Sequence, residues 1–242
     1  MNGLNATDAE LLQIVTAAAP ATIADVLAVM QKIDNLLPSN DGLKWFNLLY
    51  LKVTEKVDAQ PPPNGWEDEA WLTLLDVVFA KLYFATISGA LDQSANTPSS
   101  WLALFEARNR PHIDRIQFAL AGMNAHINHD LALALLQTDD DLHLKPGPNS
   151  PEHDDYEHVN GLLEAELPLA LTFLATGMLG ELAQDTGKIG RLLAGWNVRK
   201  ARDLAWDFAD HLRALPGPFR DAALEFQDSF TGAIGRGLLI PM

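Results

Sequence analysis

Two histidines and one aspartate recur at helical spacing within a single apolar stretch of the chain. They are His126, His129 and Asp130, in the segment PHIDRIQFALAGMNAHINHDLALALLQ, residues Pro111–Gln137. At 100° per residue all three share one face, and most of the remaining circumference is apolar, which is typical of a helix buried on most sides. Because a buried charge needs a partner or a metal, the stretch predicts a buried polar face.

Three interpretations of this face stay open. In the first it is a structural network, in which Asp130 accepts a hydrogen bond from His126 and His129 bonds a neighbouring helix. In the second these three side chains are ligands of a divalent metal such as zinc, iron or manganese. In the third Asp130 orients His126 for metal-free acid–base catalysis. Ala119 and Gly122, about one turn earlier, would leave space beside the histidines.

One acidic side chain lies inside the otherwise apolar run Trp71–Phe84. This residue, Asp76, shares a stripe with Tyr83 and needs a partner if it is buried. We expect it to be a fourth metal ligand or the partner of one of the histidines, and pairing with an arginine is the alternative.

A row of polar residues follows the spacing i, i+3, i+7 in the segment Gly42–Ala59. Its members are Asn47, Tyr50 and Thr54, and they could line a pocket or form the solvent side of an amphipathic helix. Under the first interpretation, Asn47 joins Tyr83 as a candidate substrate-binding residue.

The basic residues are concentrated near the C-terminus, where residues 188–213 hold six of the 17 lysines and arginines. Arg199 and Arg202 lie on one stripe and are candidates for holding an anionic group, since arginine offers a fork of donors. Pairing with Asp203, Asp207 or Asp76 is the simpler alternative.

A second polar stripe follows Ser150. It could bind a metal or complement the dipole at the start of a helix. It contains His153, Tyr156, Glu157, Asn160 and Glu164.

Proline and glycine clusters divide the chain into segments whose apolar residues repeat with helical periodicity. Pro111 and Pro151 are each predicted at a first helical position. We predict one all-α domain over residues 22–242, a single antiparallel multi-helix bundle of about seven to eight helices, after an N-terminal extension of residues 1–21. The predicted helices are Thr22–Leu37, Gly42–Ala59, Trp66–Leu91, Ser99–Glu106, Pro111–Gln137, Pro151–Leu182, Lys188–Leu215 and Phe219–Ile234.

The composition excludes several classes of function. With 17 basic and 32 acidic residues the formal charge is −15, which opposes binding to nucleic acid or to an anionic membrane. The absence of cysteine removes disulfides and thiolate metal sites. No secretory signal or apolar run of the roughly 18–20 residues typical of a membrane span is found, so we expect a cytoplasmic protein whose partner is a small molecule.

Familiar catalytic signatures are also missing. The chain has no G-x-x-x-x-G-K loop, no G-x-S-x-G elbow, no H-E-x-x-H and no paired E-x-x-H set. Nucleotide kinases, serine hydrolases and di-iron bundles are therefore poorly supported.

Several stretches resemble an uncharacterised bacterial all-helical family, a domain of unknown function. The resemblance covers about Thr22 to Leu239 and implies relatives without implying a chemistry. The stretches are IQFALAGMNAHINHDLALAL (Ile116–Leu135), WFNLLYLKVTEKV (Trp45–Val57), LDVVFAKLYF (Leu75–Phe84) and WNVRKARDLAW (Trp196–Trp206).

The His129-Asp130 dipeptide also resembles the motif of the HD metal-dependent phosphohydrolases, which are all-helical. That resemblance implies His112 or His126 as the first metal ligand and Asp203 or Asp207 as the last. The chain departs from the family pattern because its dipeptide lies in the middle of an apolar helix and close behind the first histidine.

Together these features lead to a functional prediction with two alternatives. We expect a hydrolase-like, metal-dependent enzyme acting on a small, anionic molecule, with His126 and Asp130 as catalytic residues and His126, His129, Asp130 and Asp76 as metal ligands. A non-catalytic bundle that binds a small or lipid-like ligand is the first alternative, and a purely structural protein is the second. The sequence leaves the oligomeric state open.

Overall fold

The computed structural model describes residues 4–93, 97–176 and 197–241, and within these ranges it contains helices and no strand. The all-α fold class is therefore confirmed. The elements are α1 (Ala6–Thr16), α2 (Ile23–Leu36), α3 (Gly42–Asp58), α4 (Glu69–Leu91), α5 (Ser99–Ala107), α6 (Arg115–Ala125), a π-helical turn (His126–Asp130), α7 (Leu131–Leu142), α8 (Pro151–Thr176), α9 (Val198–Ala214) and α10 (Gly217–Leu238).

The N-terminal segment contains a helix that the sequence analysis did not predict. Helix α1 begins after Asn5, whose side chain caps it, and packs against α2 and α4. Its Leu11 is fully buried and Val15 nearly so. The segment predicted as an extension thus contributes side chains to the core.

Local capping explains most helix starts. Thr22 and Asp25 form a capping box at α2, and Asp41 and Asp68 cap α3 and α4. The predicted end of one helix at Leu182 and the predicted start of the next at Lys188 lie outside the described residues.

The start predicted at Pro111 is wrong. Helix α6 begins after Asp114, which forms a capping box with Gln117. His112 lies in the preceding loop, with a left-handed φ of 63° and an exposed side chain. It therefore lies outside the helix that carries His126.

A π-helical turn connects α6 and α7 into one continuous helix. The turn contains His126, His129 and Asp130, the three residues singled out by the sequence. Such turns are rare and occur frequently at functional sites. The spacing of the polar residues did not predict the widened turn, because i, i+3 and i+4 neighbours occur in an ordinary α-helix as well.

Helices α3 and α6 pack closely through two glycine–phenylalanine contacts. A Cβ atom added to Gly122 would lie 2.3 Å from Phe46 Cγ, and one added to Gly42 would lie 2.4 Å from Phe118. Gly122 therefore admits the ring of a neighbouring helix. This corrects the expectation that Gly122 leaves space beside the histidines.

The C-terminal helix α10 packs against α5 and α6 through polar contacts with their backbone and side chains. Asp228 accepts hydrogen bonds from the backbone N–H groups of Ser99 and Ser100, at 2.7 and 2.9 Å. These groups begin α5, which has no side-chain cap of its own. Asn124 donates to the carbonyl of Thr231 on α10. The polar side of α6 that faces away from His126 thus holds α10 in place.

Helix α4 is long and apolar enough to cross a membrane by length and composition alone, with a mean hydropathy of 1.6 in its best window. This differs from the expectation that the chain has no apolar run of membrane-spanning length. In the fold 56% of that window is buried, as in the core helix of a bundle.

Candidate functional site

A cavity of about 70 Å³ lies between α3, α4, α8, α9 and the helix that carries the π turn. Its volume is enough for several water-sized groups. Its walls are mostly aliphatic and aromatic, with a few polar groups among them. The lining residues are Phe46, Leu49, Tyr50, Val53, Thr54, Val57, Asp76, Phe79, Met123, His126, Ile127, Val159, Leu163 and Arg202.

The imidazole of His126 is fixed on two sides. Its ring stacks on Phe79, with centroids 3.5 Å apart and an angle of 4° between the planes. Its Nδ1 lies 2.9 Å from Asp130 Oδ2, and the same oxygen accepts a hydrogen bond of 2.9 Å from Trp101 Nε1. All three polar groups are buried. Asp130 therefore orients the imidazole, as both the structural and the acid–base interpretation required.

The hydrogen bonds assign the proton on His126. An ionised Asp130 only accepts, so Nδ1 carries the hydrogen and Nε2 presents a lone pair. Nε2 is buried and has no hydrogen-bond partner among the described residues. Burial lowers the pKa of His126, and the bond to Asp130 opposes this effect only in part. The side chain is consequently a neutral acceptor near pH 7.

Asp76 lies in the same cavity, on α4, and keeps part of its surface accessible. It forms no ion pair within 4 Å in the part of the chain that the structure describes. Burial raises the pKa of Asp76 to about 7, while the charge of Arg202 acts in the opposite direction. Near neutral pH Asp76 thus exists both as an acid and as a carboxylate.

Arg202 is the cationic side chain among the cavity residues, and only 5% of its surface is exposed. Its Nε donates to the side-chain oxygen of Asn160, and its guanidinium carbon lies 4.3 Å from the ring centroid of Tyr156. Within the described residues its terminal nitrogens bond no carboxylate. A desolvated cation that forms no direct ion pair among the described residues favours an anion in the cavity.

Arg199, the other predicted anion-binding residue, is neutralised outside the cavity. It forms ion pairs with Glu157, where the contact is 2.5 Å, and with Glu164 at 3.2 Å. Tyr156 donates to the carbonyl of Arg202, and Asn160 donates to Asp203. The polar stripes of α8 and α9 therefore pair with each other. Of the two arginines, only Arg202 lines the cavity.

His129 points away from the cavity. Its Nε2 lies 4.0 Å from Asp130 and its Nδ1 lies 3.9 Å from Asp228. Among the described residues the buried Nδ1 has no hydrogen-bond partner. Among the described residues no group of three or more histidine, aspartate or glutamate side chains is arranged to hold a metal. The four predicted ligands, which include Asp76 on the cavity wall, therefore do not surround one point.

The predicted substrate-binding residues Asn47 and Tyr83 lie in the core. The hydroxyl of Tyr83 donates to Asn47, which itself donates to the carbonyl of Met30. Both side chains are fully buried and are absent from the cavity lining described above. Tyr50 and Thr54, from the same polar row as Asn47, do line the cavity. The three residues of this polar row therefore lie in two places: Tyr50 and Thr54 line the cavity, and Asn47 lies in the core.

Two residues that matter at the site were not singled out by the sequence. Phe79 stacks on His126, and Trp101 bonds Asp130 from α5, 29 residues earlier in the chain. Both looked like ordinary core aromatics. A sequence signal for them is lacking because each depends on which helices become neighbours.

The fold and the site define an all-α bundle with a small apolar cavity that holds an oriented histidine, an aspartate and an arginine. The chain belongs to a family of unknown function, DUF5995, whose model matches residues 23–241. This confirms the resemblance to an uncharacterised family. Comparison with curated proteins and with solved structures finds no match.

Proposed function

We propose that the protein is a hydrolase-like enzyme that acts on a small anionic molecule in this cavity. One observation carries the proposal: His126 lines the cavity, and its buried Nε2 has no partner among the described residues, while its Nδ1 bonds Asp130. A hydrogen-bonded histidine with a free lone pair inside a pocket has the geometry of a general base.

In this proposal His126 Nε2 removes a proton from a water molecule as the water oxygen attacks the substrate. The bond between Nδ1 and Asp130 stabilises the imidazolium that forms, as in hydrolytic triads. The proton then passes to the leaving group as its bond to the substrate breaks. Asp76 in its acid form is a second candidate donor for the leaving group, since its pKa is close to 7.

Arg202 supplies the recognition step. Its guanidinium is fixed by Asn160 and Tyr156, and its terminal nitrogens remain available to a carboxylate or a similar anion. Because the rest of the wall is mostly apolar, the part of the substrate beyond the anionic group should be small and apolar. This pairing of one cation with apolar walls selects monoanions over larger polar molecules.

Binding of the anion tests the recognition step. Butyrate is the probe, with butyramide as its uncharged counterpart, and amide chemical shifts of the cavity residues are measured by NMR. We expect butyrate to bind more tightly than butyramide by at least tenfold, and we expect Arg202→Met to remove the difference. Lys200→Met, two residues before Arg202 and on the exposed side of α9, should leave the difference unchanged.

Hydrolysis tests the chemical step. Activated esters with and without a free carboxylate, such as the p-nitrophenyl esters of succinate and butyrate, are assayed with wild type and with His126→Gln. We expect the variant to lose at least a hundredfold in kcat/KM for the charged ester. Binding of butyrate without turnover of any ester would favour the non-catalytic ligand-binding alternative.

A metal-dependent form of the same enzyme is the second candidate. The arrangement in which a carboxylate holds one imidazole nitrogen and leaves the other free is also typical of metal-bound histidines. His126 Nε2 and Asp76 are the groups that would contact the ion, which would serve as a Lewis acid. Metal analysis of untagged protein distinguishes the candidates: a divalent ion retained after dialysis by wild type, but lost in His126→Gln, favours this form.

A further inference from the structure

Helix α10 carries a row of large apolar side chains on its solvent side. Phe219, Phe226 and Phe230 are 66%, 70% and 55% exposed, and Ile234 is 40% exposed. The rings of Phe226 and Phe230 stack on each other with centroids 6.1 Å apart and planes at 7°. The opposite side of α10 is held against α5 and α6. A contiguous apolar row of this length on a soluble surface marks an interaction site.

The row is symmetric about Asp228, which lies on the buried side. At 100° per residue, Phe219, Phe226, Phe230 and Gly237 fall within about 40° of one another on the exposed side. In an antiparallel pair with its twofold axis beside residue 228, Phe226 of one copy faces Phe230 of the second copy. Phe219 of one copy then faces Gly237 of the second copy. The surface at Gly237 has room for the phenylalanine ring, because a Cβ added there would contact nothing within 4 Å.

The flanks of the row fit the same arrangement. In that register Ala222 lies beside Ala233 of the second copy, which lets the two helices approach closely. Glu225 and Arg236 lie on the same edge of the row, so each glutamate reaches toward the arginine of the other copy. Arg236 pairs with Glu106 and contacts the Ser99 hydroxyl at the surface, and its side chain stays 44% exposed. The row itself carries no charge to oppose self-association.

We propose that α10 is the interface of a homodimer in which the two copies of the helix pack antiparallel about a twofold axis beside Asp228. A self-complementary face is what a twofold dimer requires, because the same surface serves both partners. An anionic membrane is the poorer occupant, since the formal charge of the chain is −15. One helix face per copy is a small interface, so the dimer should dissociate on dilution.

Single-cysteine cross-linking tests the register, and the chain has no native cysteine to interfere. Ser229→Cys places the only thiol on the exposed side of α10, next to the axis. Leu204→Cys, an exposed position on α9, is the matched control. With a short bis-maleimide at micromolar protein we expect a covalent dimer of most Ser229→Cys chains and of few Leu204→Cys chains. Equal yields from the two variants would overturn the proposed register.

Sedimentation equilibrium tests the interface itself. We expect wild type to shift from monomer to dimer with concentration, and Phe226→Glu combined with Phe230→Glu to stay monomeric with an unchanged circular dichroism spectrum. Wild type that remains monomeric at hundred-micromolar concentration would overturn the proposal. Co-sedimentation of that monomer with phosphatidylcholine vesicles would instead assign the row to a lipid surface.

Discussion

His126 and Phe79 lie face to face, with ring centroids 3.5 Å apart and nearly parallel planes. The contact shields one face of the imidazole from water, and Tyr50 packs against its ring from another direction. Protonation would place a cation in this apolar setting, so the stacking and the lowered pKa of His126 have the same physical origin. The histidine is thereby kept neutral, and its buried Nε2 keeps a lone pair with no partner in the described part of the chain.

The first prediction concerns the protonation state of His126. Nitrogen-15 NMR of the imidazole at pH 7 should show the neutral tautomer with hydrogen on Nδ1, because Asp130 accepts there. On acidification His126 should protonate below the ordinary histidine pKa of about 6.5. Asp130→Asn should weaken the preference for this tautomer. A ring protonated on Nε2 in wild type would contradict the proposed role as a base.

The lowered pKa also has a consequence for stability. Above the ordinary histidine pKa of about 6.5 the folded and unfolded states are both neutral, so His126 makes no difference to the pH dependence. Below pH 6.5 the unfolded state binds a proton at His126 before the folded state does. The free energy of unfolding therefore falls as the pH falls. His126→Gln should reduce this loss, as measured by urea unfolding between pH 5 and pH 7.

The second prediction concerns the close approach of α3 and α6. Gly122→Ala would push a methyl group into the ring of Phe46, so we expect a loss of about 1–3 kcal/mol in the free energy of unfolding. Gly161→Ala is the control, since a Cβ at that helical position meets only the end of the Arg199 side chain, at 3.6 Å. It should be neutral or stabilise by up to about 1 kcal/mol. Equal effects in the two variants would argue against the contact.

The sequence predicted the helices well and the site only in part. Proline clusters and apolar periodicity located the major helices, and the isolated polar residues His126, Asp130 and Asp76 did prove to lie at or beside the cavity. These signals are local, because a polar residue within an apolar stretch of sequence is easily recognised. The sequence does not predict which of the two arginines lines the cavity. The difference lies in the residues of α8 that they contact: Arg199 pairs with Glu157, whereas Arg202 donates to Asn160.

The misplaced residues have a related explanation. Tyr83 and Asn47 satisfy each other across two helices, which no single-helix pattern shows. Helix α1 was missed because its weak amphipathic pattern is short, and its burial depends on α4. The π turn was missed because its residue types do not differ from those of an ordinary α-helix. Long-range packing decides the first two.

The third prediction concerns the remote cap of α5. Asp228 accepts from two backbone N–H groups that would otherwise be unpaired at the start of that helix. Asp228→Ala should therefore lower the free energy of unfolding by about 1–3 kcal/mol. Asp221→Ala, exposed on the same helix, is the control and should change it by less than about 0.5 kcal/mol. Similar losses in the two variants would show that the cap contributes little.

The last prediction concerns Asp76, whose pKa burial raises to about 7 from the ordinary aspartate value of 3.8. Below pH 4 the carboxyl is protonated in both the folded and the unfolded state, so it makes no difference to the pH dependence. Between pH 4 and pH 7 the unfolded state loses the proton while the folded state keeps it. The free energy of unfolding therefore falls as the pH rises, by at most about 1.4 kcal/mol for each pH unit.

Asp76→Asn removes this dependence without changing the shape of the side chain. Relative to wild type, the variant should gain stability steadily from pH 4 to pH 7 and hold the gain at pH 8, as measured by urea unfolding. Glu69→Gln, exposed on the same helix, should show no such trend. Because the comparison is between variant and wild type, the opposite contribution of His126 cancels. A gain that is the same at pH 4 and pH 8 would mean that Asp76 titrates normally, and it would remove Asp76 as a proton donor near neutral pH.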